Sequence, residues 1–284
     1  MSRSVSLLKA VNRLFPLPQH PFNLQNDGVK TYAEWQFEKG RDTVAFYLEY
    51  ATLAELFSGK KVLDIGCGAA GKTLFYASCG VDHITGMDIV PHYEDEANAL
   101  AEKLGYADKF TFVLGDAAKT PFAENSFDTI IMNDAMEHVD KPEEVLEECL
   151  RILRPKGRIY INFPPYDHPY GAHLSDAIGM PWVHRFFSEK ALIDGYKELV
   201  RDLPDGQSRI DFRISKRENG QEYFSYINHM SIRRFKGILN RLHLTPAYLR
   251  EVPLRGFLKP LAKLPVLKEF FVKMVVCVIE KEEV

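Results

Sequence analysis

His138, one of nine histidines, is of the type that can take or give a proton near neutral pH, and three acids stand at regular intervals before it. Asp64, Asp88 and Asp116 each close a short apolar run, at Val62–Ile65, His83–Ile89 and Phe110–Leu114. Between the first and second of these lies Gly66-Cys67-Gly68-Ala69-Ala70-Gly71-Lys72-Thr73. Gly66-x-Gly68-x-x-Gly71 fits a dinucleotide fingerprint, and Gly66-x-x-x-x-Gly71-Lys72-Thr73 fits a phosphate-binding loop. Either would bring negative phosphates to the turn. Asp64, two residues before Gly66, would repel them from a position that is costly to desolvate, whereas it would attract a cation. Asp88 follows Gly66 by about twenty positions, the range for an acid that accepts from ribose hydroxyls. A carboxylate at Asp116 could accept from an exocyclic amine. A phosphate loop could claim Asp134 as its magnesium acid but offers nothing for Asp88 or Asp116.

These residues need strands that end together and helices between them. Phe127–Met132 reads as a fourth strand, followed by Asn133-Asp134-Ala135-Met136-Glu137-His138-Val139. A helix opens at Pro142, with Glu143 and Glu144 at its positive end and an apolar stripe at Val145, Leu146, Cys149, Leu150 and Leu153. Lys156-Gly157 then turn the chain into a fifth strand, Arg158–Phe163. Strands alternating with helices imply a parallel sheet covered on both faces. Before it, Thr31 to Phe57 reads as a long helical pattern broken at Gly40. After it, residues 164–230 are rich in aromatics and histidines, with a hairpin signal at Asn219-Gly220 between Phe212-Arg213-Ile214 and Tyr223-Phe224. Helix Ser231–Leu242, a strand within Pro246–Val252 and a last apolar strand Phe271–Ile279 complete the chain.

In order, Val62-Leu63-Asp64-Ile65-Gly66-Cys67-Gly68, Asp88, Gly115-Asp116-Ala117, Phe127-Asp128-Thr129-Ile130, Glu137-His138-Val139 and Leu153-Arg154-Pro155-Lys156-Gly157 resemble the motifs of class I S-adenosylmethionine-dependent methyltransferases. The resemblance covers about residues 58–163 and is nearest to the small-molecule branch that includes the ubiquinone and menaquinone methylases. It implies a Rossmann-like, seven-stranded, mostly parallel α/β sheet with an antiparallel last strand, and S-adenosyl-L-methionine as the cofactor. It also implies that the glycine turn at Gly66, Cys67 and Gly68 approaches the methionine part, whose ammonium would be the cation for Asp64, that Asp88 holds the ribose, and that Ile89 packs on adenine. Asp116 and Ala117 would address the adenine edge, and the backbone at Asn133 the ammonium. Two departures are Gly71, one place later than the family's third glycine, and Lys156 in place of the first glycine of Pro-Gly-Gly. On this reading Lys72 and Thr73 only begin a helix.

The expected organisation is an N-terminal helical cap (1–57), the cofactor-binding core (58–163), a lid or substrate insertion (164–230) and a C-terminal completion of the sheet (231–284). His138 is the expected general base for a hydroxyl acceptor, with His168, His173 and His184 as alternatives. Asp167, His168, His173 and Asp176 have metal-ligand types but match no ligand spacing, so no metal is expected. Asn162-Phe163-Pro164-Pro165-Tyr166 resembles the Asn-Pro-Pro-Tyr motif of nucleic-acid amino-methylases, but Phe163 interrupts it and it follows the wrong strand. A formal net charge of −3 over 284 residues gives no broad attraction for nucleic acid, so the expected partner is a small molecule, such as a sugar or secondary metabolite. Methylation of nitrogen or carbon, a phosphate-loop NTPase and a non-catalytic binding module are the competing functions. Four cysteines without a C-x-x-C pair suggest a reduced, cytoplasmic protein. Met1–Phe15 is amphipathic without a signal-peptide core, and Arg255–Phe270, basic but interrupted by Pro260 and Pro265, reads as a surface connection; stable membrane insertion is not expected. The oligomeric state is left open.

Overall fold

The computed structural model describes residues 2–283. The apolar runs form β1 (Lys61–Ile65), β2 (His83–Asp88), β3 (Phe110–Leu114), β4 (Phe127–Asn133) and β5 (Leu153–Phe163). Two short strands, β6 (Ile214–Lys216) and β7 (Glu222–Phe224), make a separate hairpin, and β8 (Tyr248–Pro253) and β9 (Val272–Glu280) close the main sheet. Its order is β3-β2-β1-β4-β5-β9-β8. β1 to β5 pair in parallel, and β9 runs antiparallel between β5 and β8. The chain order reverses beside β1, at the gap between β1 and β4, and in an open α/β sheet that switch point is where a ligand crevice forms.

Both faces of the sheet are buried, which is why its strands read as nearly unbroken apolar runs. One face packs Leu146, Cys149 and Ile152 of helix Pro142–Ile152 with Phe235 and Ile238 of helix Ile232–Arg241. The other packs Leu74 and Tyr76 of helix Gly71–Ala77 with Ala97 and Leu100 of helix Tyr93–Leu104. The insertion has its own core around Leu174, Leu192, Ile193 and Tyr196, and Leu8 of the first helix, Arg3–Asn12, is part of it. The first helix therefore packs on the insertion as well as preceding the core. Among the described residues no helix is long and apolar enough to cross a membrane.

Local readings need four corrections. Gly40 does not break a helix: it lies inside helix Tyr32–Val44, where an added Cβ would stand 2.5 Å from Phe75 carbons, so glycine there permits close helix packing. The helical pattern instead ends at Val44 and resumes at Leu53–Phe57, whose Thr52 and Glu55 form a capping box. Phe212 and Arg213 end helix Gly206–Arg213, leaving only Ile214 onward for the hairpin. β5 starts at Leu153, before Lys156-Gly157; the register shifts across these residues and Lys156 takes φ +62°, so they bend the strand.

Helix Tyr32–Val44 crosses the start of helix Gly71–Ala77 at Gly71, where a Cβ would lie 1.9 Å from the Ala33 carbonyl oxygen and 2.6 Å from the Phe37 amide. Backbone cannot yield as a flexible side chain can. Gly71→Ala is expected to lower unfolding free energy by about 1–3 kcal/mol. Gly237→Ala, inside helix Ile232–Arg241 with only Arg241 Nη1 nearby at 3.4 Å, should raise it by about 0.4–1 kcal/mol. Urea titration of both variants checks the contrast.

Candidate active site

β1 ends at Ile65 and the chain turns through Gly66 (φ +73°) and Gly68 (φ +56°), a region that disfavours other residues. The third left-handed position is Ala70 (φ +57°), so the family's expected glycine is replaced by a strained alanine while Gly71 serves helix packing. Five of the six amides from Gly66 to Gly71 are bonded within the protein. Gly66 and Cys67 donate to the Met87 carbonyl at 2.8 and 3.2 Å, and Ala70 donates to the Cys67 carbonyl at 3.0 Å. Gly68 donates to Asp88 Oδ2 at 2.8 Å and Gly71 to Gln36 Oε1 at 3.3 Å. A phosphate loop needs those N–H groups free for its ligand. Here a carboxylate holds the central one, which argues against phosphate.

Asp64 lies 3% exposed at the edge of a hollow of about 60 Å³ lined also by Tyr32, Gln36, Gly66, Cys67, Lys72, Asn133 and Asp134. Its Oδ2 accepts from Thr73 Oγ1 at 2.6 Å, and burial pushes its carboxyl up to about 7. Lys72 Nζ pairs with Asp134 Oδ2 at 2.8 Å. The reading of Lys72 and Thr73 as a bare helix start is therefore corrected: each is committed to an acid that lines the hollow. Small-molecule sites span roughly 300–1,000 Å³, so a hollow this size takes only one end of a nucleoside ligand. The remainder would lie over the carboxyl edge of β2 and β3. There Asp88 accepts from Gly68 and, at 3.0 Å, from the Val90 amide, Ile89 is 71% exposed, and Asp116 is exposed beside buried Ala117. Burial raises the Asp88 carboxyl above its ordinary range. A buried acid, an acid held by backbone amides and an exposed apolar residue fit a ligand with a cationic end and a nucleoside end.

Asn133 contributes more than backbone. Its Oδ1 accepts from Tyr47 Oη at 2.5 Å and from Asn162 Nδ2 at 2.7 Å, while its Nδ2 donates to Tyr76 Oη at 2.7 Å. All four side chains are buried, so the network fixes the end of β4 against β5, helix Gly71–Ala77 and the turn that follows helix Tyr32–Val44. Tyr32, Gln36, Tyr47, Tyr76 and Asn162 were not singled out from sequence for the site. They sit inside ordinary helix or strand patterns, and no local spacing marks them. Thr73, by contrast, stands nine residues after Asp64 and could have been paired with it.

Beyond Asn133, the segment Asp134–Val139 is pinned by Asn228, whose amide donates to the Glu137 carbonyl and whose side chain donates to the Met136 and Val139 carbonyls. His138 Nδ1 lies 2.6 Å from the Tyr226 carbonyl oxygen, an acceptor only, so Nδ1 carries the proton and Nε2 carries the lone pair. Desolvation by the groups packed around them holds the imidazoles of exposed His138 and half-buried His173 below their ordinary range, and their rings meet edge to face at 4.9 Å. Glu137 is 3% exposed, neither of its side-chain oxygens has a protein hydrogen-bond partner, and burial raises its carboxyl well above the ordinary range. Of the alternative bases, only His173 joins His138. His168 and His184 lie apart, His184 against Tyr166 at 4.8 Å. The quartet Asp167, His168, His173 and Asp176 does not assemble: Asp167 faces Arg185 at 3.5 Å, and Asp176 is buried against Arg209 and Arg213 at 3.1 and 3.2 Å.

Residues 63–161 match a family described as methyltransferase domain. The chain is 40% identical over 99 residues to a sterol 24-C-methyltransferase of Gibberella zeae, covering 35% of this chain and 26% of that protein. It is 34% identical over 105 residues to the ubiquinone/menaquinone biosynthesis C-methyltransferase UbiE of Roseobacter denitrificans, covering 37% of this chain and 42% of that protein. The matched segment thus spans less than half of these relatives. A structure of geranyl diphosphate methyltransferase in complex with SAM superposes with TM-score 0.53 at 15% identity, covering 86% of this chain and 85% of that one, and shows a shared fold.

The buried Asp64 carries a pH test. Its folded value near 7 lies above the ordinary 3.8, so the native state holds the proton more tightly and stability falls as pH rises between those values. Asp64→Asn removes the titration while keeping an acceptor for Thr73. The variant's unfolding free energy relative to the parent is expected to rise by roughly 3 kcal/mol from pH 4 to pH 8, read by urea denaturation at each pH.

Proposed function

With residues 63–161 a methyltransferase domain of the class I S-adenosylmethionine-dependent family, we propose that this chain transfers a methyl group from S-adenosylmethionine to a hydroxyl of a small molecule. The observation that carries the reading is the buried Asp64 carboxyl beside a glycine turn whose central amide is held by a second acid, Asp88, a site for a cation and not for phosphate. S-adenosylmethionine supplies an electrophilic sulfonium methyl when bound. The methionine ammonium meets Asp64 and the backbone at Asn133, with Gly66, Cys67 and Gly68 against the methionine chain. Asp88 takes the ribose hydroxyls, Ile89 packs on adenine, and Asp116 with Ala117 meets its edge.

Methyl transfer is an in-line displacement, so the protein has to align the acceptor oxygen and relieve it of its proton. His138 is the group at which that activation occurs, because its Nε2 lone pair is free while Nδ1 is held by Tyr226. The insertion, with Tyr166, Tyr170 and Trp182, covers the acceptor. Relatives named for carbon methylation favour a second reading, transfer to a ring or alkene carbon, with the same cofactor residues. Free cysteines, three of them buried, fit a cytoplasmic location.

Calorimetry with S-adenosylhomocysteine is expected to show binding, and Mg-ATP none; tight ATP binding without the thioether would sink the proposal. Because the ammonium favours ionised Asp64, affinity for S-adenosylhomocysteine should rise with pH through about 7, and this dependence should vanish in Asp64→Asn. With ¹³C-methyl S-adenosylmethionine and a panel of small hydroxylated acceptors, the product methyl should resonate as O–CH₃, while a C–CH₃ signal selects the second reading. His138→Ala is expected to reduce turnover by about 10²–10⁴-fold with cofactor affinity kept.

A further inference from the structure

We propose that Glu137, His138 and His173 form a binding site for a divalent transition-metal ion, of the zinc type, beside the acceptor. Their ligand atoms all lie within 4.8 Å of one another. Glu137 Oε1 is 3.8 Å from Nε2 of His138 and 3.8 Å from Nε2 of His173, too far for hydrogen bonds. Two ligands at zinc distances and a tetrahedral angle stand about 3.3–3.5 Å apart, so the two Glu–His pairs need a shift of roughly half an ångström and the His–His pair one of up to about 1.5 Å to close the set.

Orientation argues the same way. The Tyr226 carbonyl takes the Nδ1 proton of His138, which turns an Nε2 lone pair toward Glu137. A histidine donating one ring nitrogen to a backbone carbonyl while the other faces a carboxylate has the outer-shell arrangement of a metal ligand. Glu137 is 3% exposed and neither of its carboxyl oxygens has a protein hydrogen-bond partner, so a buried acid faces both ring nitrogens without a bond to either. His173 is held in place by its backbone: it takes φ +51°, and its carbonyl accepts from Tyr226 Oη at 2.5 Å and Arg213 Nε at 3.3 Å. The cations acting on the three side chains are already neutralised, Lys72 by Asp134 at 2.8 Å and Arg213 by Asp176 at 3.2 Å. Two imidazoles and one carboxylate select zinc-like ions over magnesium and calcium, which prefer oxygen ligands.

Three protein ligands leave a coordination position open, which an acceptor hydroxyl can take. There its oxygen is polarised, with His138 acting through the ion as a ligand in place of acting as a free base; the O–H proton leaves to solvent, the oxygen forms the new bond to the methyl carbon, and the C–S bond breaks to leave the thioether. This role rests on the proposed methyl transfer, whereas ion binding does not.

The test uses the untagged full chain, freed of metal by dialysis and titrated with Zn²⁺ against a chromophoric chelator. The expected result is one Zn²⁺ per chain, unaffected by excess Mg²⁺ or Ca²⁺, with affinity falling about tenfold or more in Glu137→Gln and in His173→Gln. No uptake, uptake equal in both variants, or displacement by Mg²⁺ overturns the site. Calorimetry with S-adenosylhomocysteine on the same samples reports on the methyl-donor site separately, so failure of one reading is distinct from failure of the other. Should the variants not fold, Co²⁺ added to the parent chain decides: visible absorption abolished by Zn²⁺ supports the site, and its absence overturns it.

Discussion

Asp64 sits at the carboxyl end of a central parallel strand, out of contact with water, and a carboxylate in that position has to be matched or kept protonated. The surroundings supply partial matches only. Thr73 gives one hydroxyl proton, and Lys72, whose charge favours the ionised form, is itself bound to Asp134. The result is an acid poised near neutrality at the edge of a hollow, ready to gain from a ligand that brings a positive charge. The glycine turn beside it is shaped for close approach, and its amides at Gly66, Cys67, Gly68 and Gly71 are spent on Met87, Asp88 and Gln36. The same letters that fit a phosphate loop therefore build a different site, because an acid stands where the phosphate would be.

A second constraint is the crossing of two helices at Gly71. Helix Tyr32–Val44 lies so close to the glycine turn that Gln36 bonds to the Gly71 amide and contacts the Cys67 carbonyl at 3.4 Å. Segments before the sheet thus roof the hollow, and Tyr47 carries the same connection down to Asn133 and Asn162 at the ends of β4 and β5. The insertion reaches the site from the other side through Tyr226 and Asn228, which hold Asp134–Val139 by its carbonyls and by His138. The Asp64 end and the His138 end of the site are consequently fastened to different parts of the chain, with β4 between them.

The strands of the sheet were legible because each is a compact apolar run bounded by turn residues, and the acids at their ends follow directly from those limits. Helix Pro142–Ile152 was legible from its proline start and its stripe. The failures share one cause. Gly40 reads as a helix break by propensity, and its true role depends on Phe75 of another helix. Phe212 and Arg213 have strand-like neighbours, and Arg213 is drawn into a helix end by its pair with Asp176 and its contacts with aromatic rings.

By itself, then, the sequence determined the alternating architecture, the positions of Asp64, Asp88 and Asp116 at or beside the ends of the first three strands, and the place of His138 after the fourth, because these depend on local periodicity and on spacing along one element. Only the tertiary structure decided which histidine joins His138, that Glu137 faces both rings, and that Lys72 and Thr73 serve the two acids. Those relations join residues tens of positions apart or set side chains across a turn. Their distances follow from how helices and the insertion pack on the sheet, which no local pattern encodes.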